Sequence, residues 1–129
     1  MAKLIDGAGL AKLQTLDTAT QHLQRVNSIV EQMAQAIRIQ QPASPFKQQL
    51  VRAATPLVGL LKPQFDQISD LVTHLIVVSS RGSNDNMRIR AMREAVGQIR
   101  AQIEASAARV RQLHEVQKTD DEKPGENPE

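Results

Sequence analysis

Residues 16–37, LDTATQHLQRVNSIVEQMAQAI, place Leu16, Ala19, Leu23, Val26, Val30, Met33 and Ile37 at alternating steps of three and four. Farther along, Ile89, Met92, Val96, Ile99, Ile103, Ser106, Val110 and Leu113 keep the same rhythm, with Ser106 its single polar member. A repeat averaging 3.5 residues is the pattern of helices packed lengthwise against one another. It predicts an all-α fold and leaves the chemistry open.

Between these stretches, residues 45–80 carry apolar side chains over about half of a helical wheel, wider than either flanking stripe. The first helix is expected to start near Gly7–Leu10 behind a capping Asp6 and to run to about Gln40. Pro42 stops it, and Ser44 followed by Pro45 offers an N-cap and a first helical position for the next. Pro56 and Pro63 then fall inside the middle segment, and an interior proline costs about 3 kcal/mol. The middle helix is therefore kinked or split at Pro56 or Pro63: a kink leaves three helices, and a break at Lys62–Pro63 makes four. Residues 79–86, SSRGSNDN, read as a loop, with Gly82 suited to a positive φ and Ser83 or Asn84 capping a last helix to Lys118. The expected object is an elongated antiparallel bundle of three long helices, each about 50 Å at 1.5 Å per residue.

The division by composition is residues 1–7 as an N-terminal extension, 8–117 as one helical-bundle domain and 118–129 as a disordered acidic tail. That tail, KTDDEKPGENPE, holds five acids against two lysines and no apolar side chain, too little to offset the entropy of ordering. Residues 1–117 hold fourteen basic and nine acidic residues, a mild excess of +5. Cysteine is absent, which removes disulfides and thiolate ligands. Phe46 and Phe65 are the only residues among Phe, Tyr and Trp, so material for base stacking is scarce. No apolar run approaches the roughly 20 residues a bilayer requires, and no export signal is read at the start; the expectation is a cytoplasmic protein with no membrane partner.

The end of the middle segment is apolar on every side. Leu71, Leu75, Ile76, Val77 and Val78 are accordingly expected to support self-association, most simply as a two-fold homodimer. Seven of the ten arginines lie between residues 81 and 111, and Arg93, Arg100 and Arg111 fall on one line of the last helix. They form a candidate anion or partner face, and Asp17 and Glu31 of the first helix are the acids available to pair with them. A small charge excess and the lack of aromatic interleaving argue against nucleic acid as the main partner.

His22, His74 and His114 fall one to a segment, but in a three-rod bundle their levels differ by roughly 17 Å, too far to share an ion. No Glu-x-x-His pair, nucleophile constellation or glycine-rich phosphate cradle is present, so neither metal, cofactor nor enzymatic activity is expected. Gln21-His22-Leu23-Gln24-Arg25 resembles the histidine helix of histidine-phosphotransfer bundles, in which a basic residue follows the histidine by three positions. The resemblance rests on His22 and Arg25, with Val26 where such domains carry a small residue, and implies a phosphoacceptor role for His22. The sequence as a whole reads as a non-enzymatic adaptor, scaffold or structural bundle that binds protein and self-associates. Phosphotransfer through His22 and weak nucleic-acid or anion binding by the last helix are the alternatives.

Overall fold

The computed structural model describes residues 3–81 and 84–117; the expectations for Gly82, Ser83 and the acidic tail lie outside the described residues. In chain order the elements are β1 (Lys3–Ile5), α1 (Gly7–Arg38), α2 (Ser44–Leu61), α3 (Asp66–Ser80), α4 (Asp85–His114) and β2 (Glu115–Gln117). The fold is an all-α bundle of four helices, to which a three-residue antiparallel ladder adds a clasp between the two ends.

Local chemistry accounts for most boundaries. Asp6 Oδ1 accepts from the Gly9 amide at 2.7 Å and starts α1, while Asn84 Oδ1 accepts from Met87 at 3.1 Å and starts α4. At the other end of α1, Gln40 takes φ 60°, and the Gln41 and Gln40 amides donate to the carbonyls of Ala36 and Ile37. That double bond is a Schellman closure, and it ends the helix before Pro42 is reached. Ser44, expected as a cap, accepts no capping bond: Ala43 precedes α2 in helical conformation, and Pro45 occupies its first turn. The last helix stops at His114, four residues short of Lys118, because residues 115–117 pair with residues 3–5 instead.

The two prolines behave differently. Pro56 lies within α2 on its exposed side, where water can satisfy the carbonyl deprived of a donor. Pro63 stands two residues past Leu61, the last residue of α2, and the chain does not kink there but reverses. Ser69 Oγ of α3 donates to the Val58 carbonyl of α2 at 3.2 Å, so the two short helices lie side by side. Of the two outcomes that the prolines allow, the break makes four helices, and the middle segment is a hairpin instead of a third rod.

The extra reversal changes the relation of the long helices. With 32 and 30 residues, α1 and α4 span about 48 and 45 Å, against about 27 and 22 Å for α2 and α3. α1 packs against α2 and α4, and α3 against the same two, which gives a square up-down-up-down arrangement. α1 and α4 run antiparallel, with Glu31 beside Arg93 and Asp6 beside His114. The hairpin covers the half of this pair near the end of α1.

Leu16, Leu23, Val30 and Met33 of α1 meet Leu50, Leu57 and Leu61 of α2, Val72 and Leu75 of α3, and Met92 and Ile99 of α4, each at most 2 % exposed. Each such side chain contributes about 1.5–3 kcal/mol by leaving water. Val58, Leu60, Phe65, Leu71, Ile76 and Val78 pack half-buried around this centre. They are the flanks each hairpin helix presents to two neighbours, and they explain why the apolar arc of the middle segment is so wide. The buried polar side chains among the described residues are Ser69, Ser79, Ser106 and one charged group, Arg88. Arg88 is 8 % exposed, and it bonds from Nε to the Arg81 carbonyl at 3.0 Å and from Nη1 to Asp85, tying α4 to the loop before it.

Candidate functional site

Among the five residues expected to self-associate, Leu75 is fully buried, and Leu71, Ile76 and Val78 are half-buried against the core. Val77 alone faces outward, at 38 % exposure. Val51 of α2 is equally exposed and lines a shallow depression with Lys47, Gln48, Arg52, Ser79 and Ser80. Ser80 lies one turn after Val77 on the same side of α3, and its hydroxyl donates to the Val77 carbonyl. The outer face of the hairpin thus carries two exposed valines, one from each helix.

The arginines of α4 do not converge. Arg93, Arg100 and Arg111 are all exposed, and they are strung along about 27 Å of helix. Arg93 is also occupied: its Nε and Nη2 reach Glu31 Oε2 and Oε1 at 2.9 and 2.7 Å. These bonds hold the Glu31 carboxyl below its ordinary range and raise the Arg93 guanidinium above its own. A groove of about 720 Å³ runs beside this pair between α1 and α4, lined by Arg38, Arg90 and Arg93 but also by Glu94.

The histidines remain apart. Counted from the end of the bundle that holds the α1–α2 turn, His74, His22 and His114 lie at levels of about 9, 24 and 44 Å. Among the described residues there is no group of three His, Asp or Glu placed to hold a metal ion. His114 has gone into the clasp: its Nδ1 donates to Asp6 Oδ1 at 3.1 Å and its Nε2 accepts from Lys12 at 3.2 Å. The Asp6 amide donates in turn to the His114 carbonyl. Asp6 is held below the usual carboxylate range, first by the Gly9 amide and then by the imidazole.

His22 is half-buried at one end of a groove of about 580 Å³ between α1 and α2. α1 supplies His22, Arg25, Ser28, Ile29 and Gln32; α2 supplies Gln49, Arg52, Ala53 and Pro56. Arg25 lies 13 residues before the end of α1 and Arg52 eight after the start of α2, so their axial levels differ by roughly 8 Å. No carboxylate lines this groove. Arg52 could not have been associated with His22 from sequence, since the pairing depends on how two helices are registered. The one available signal was the recurrence of polar and basic residues at helical spacing on each.

No helix among the described residues is long and apolar enough to cross a membrane. Compared with known proteins, the chain matches no family model, no curated protein and no solved structure.

Proposed function

We propose that this protein is a non-enzymatic protein–protein interaction module, an adaptor or scaffold of the cytoplasm, which pairs with a second copy through the outer face of the α2–α3 hairpin. One observation carries the reading: Val51 and Val77, each 38 % exposed, stand on the two helices of the hairpin beside a shallow depression. Exposed Gln48 and Thr55 of α2, with Thr73 and Ser80 of α3, recur at helical spacing on the same sides and supply a polar rim. A stable interface buries about 800 Å² on each partner, so two half-exposed valines point to a weak, exchanging dimer. Sedimentation equilibrium over a concentration series tests this on wild type and Val77→Glu. A wild-type dimer at tens of micromolar with a monomeric variant supports the reading; a folded wild-type monomer throughout ends it.

A second reading, a phosphoacceptor role for His22, is favoured by one specific observation, the presence of Arg25 and Arg52 in the groove with it. Incubation with a small-molecule phosphodonor and intact-mass measurement tests it. A single acid-labile phosphate absent from His22→Ala supports it, and an unmodified wild type rejects it.

A further inference from the structure

Two arginines, Arg25 and Arg52, line the α1–α2 groove, Arg52 also bordering the depression on the outer face of the hairpin, and neither has a hydrogen-bond or ion-pair partner among the described residues. The contrast with the larger α1–α4 groove is direct. There Glu94 is part of the lining and Arg93 is neutralised by Glu31, whereas here nine lining residues include two arginines, a histidine and no acid. Unopposed positive charge in a concave surface raises the local concentration of anions. The remaining polar groups, the Ser28 hydroxyl and the amides of Gln32 and Gln49, are neutral donors, and an imidazole donates from one nitrogen in either tautomer.

Geometry supports one anion held from two sides. Arg25 stands on the α1 wall and Arg52 on the α2 wall, their backbone levels roughly 8 Å apart, a gap that two long arginine side chains can close on one anion. A guanidinium presents paired N–H groups matched to phosphate oxygens. Buried Ile29 and half-buried Ala53 contribute apolar surface to the lining. At about 580 Å³ the groove exceeds the needs of a bare phosphate and falls within the range of small-molecule sites.

We propose that the α1–α2 groove is a binding site for a phosphoryl group, held between Arg25 and Arg52, with room for the organic portion of a small phosphate monoester. The site requires neither the dimer nor transfer of phosphate to His22, since noncovalent binding by the two arginines is sufficient. Ile29 and Ala53 offer an apolar monoester a contact that inorganic phosphate lacks.

The test is an amide chemical-shift titration of the full chain, in wild type and in monomeric Val77→Glu, with inorganic phosphate and with phenyl phosphate at constant ionic strength. Both probes are expected to saturate, with shifts concentrated in residues 22–32 and 49–56. Arg25→Gln combined with Arg52→Gln is expected to raise the dissociation constant at least tenfold, and the paired lysine variant to recover part of the loss. Both arginines are exposed, so the glutamine variant is expected to retain the wild-type helical spectrum, which circular dichroism checks. Tighter binding of phenyl phosphate assigns the groove to a monoester, and equal binding assigns it to the phosphoryl group alone. Shifts that never saturate, shifts spread equally over the arginines of α4, or a double variant within twofold of wild type overturn the proposal.

Discussion

Arg93 of α4 holds Glu31 of α1 with two parallel hydrogen bonds, at 2.9 and 2.7 Å, across 62 residues of sequence. The pair is nearly half exposed on both sides, at 47 % and 48 %, so water screens it and its contribution is about 0.5 kcal/mol. Glu31 is bound more strongly to its proton in the unfolded chain than in the folded one, because Arg93 lowers its folded pKa. The stabilisation is therefore complete above the ordinary glutamate range and disappears as pH falls through the depressed folded value. Urea unfolding of wild type and Glu31→Gln is expected to show a small difference at neutral pH that narrows with acidification. A difference that grows on acidification contradicts this account.

Gln40 occupies a left-handed conformation that glycine adopts without steric penalty, in the closing turn of α1. Gln40→Gly is expected to raise stability by about 0.5–1 kcal/mol, since relief of strain exceeds the added freedom of the unfolded chain. The readout is a higher urea midpoint with an unchanged slope. A lower midpoint would mean that the Gln40 side chain supports the turn.

At Gly9, α1 lies against Ile5 of β1 and His114 at the end of α4. A Cβ there would lie 2.5 Å from both His114 Cβ and Ile5 Cγ2. Although alanine is the better helix former, Gly9→Ala is expected to destabilise by about 1–2 kcal/mol, because the neighbours must part. Hydrogen exchange locates the damage: the Asp6 amide, bonded to the His114 carbonyl at 3.0 Å, should exchange faster while amides around Leu57 and Met92 keep their relative protection.

Leu75 and Val77 are two residues apart and have opposite roles. Leu75, fully buried, is expected to cost about 2–5 kcal/mol as Leu75→Ala, whereas Val77→Ala should stay within about 0.5 kcal/mol. Thermal unfolding of both variants checks the pair. Similar losses at the two positions would show that Val77 is covered in solution, the result expected if it is buried by a tightly bound second copy.

Where a boundary depends on a few adjacent residues, it could be read from the chain. Asp6 accepts from an amide three residues on, Asn84 does the same for α4, and Pro63 ends a helix because it lacks a donor. The end of α1 near Gln40 was legible from Pro42, but its left-handed closing turn was not, since a non-glycine residue in that conformation leaves no compositional mark. Nor was the β1–β2 ladder, in which each strand is three residues long and its partner lies at the far end of the chain.

Sequence by itself determined that this protein is all-α, which segments are helical, and which stripes of α1 and, as far as Val110, of α4 are buried, because periodicity and capping act over a turn or two of chain; Leu113, in rhythm with the stripe, is 76 % exposed. Tertiary structure alone decided that the middle segment folds back at Pro63, since a proline permits both a kink and a reversal and only packing against α1 and α4 selects between them. From that one reversal follow the antiparallel α1–α4 pair, Glu31 opposite Arg93 and His114 drawn to Asp6, while the α1–α2 turn sets Arg52 in one groove with His22 and Arg25. Such pairings depend on the relative register of whole helices, a property that no short stretch of residues contains.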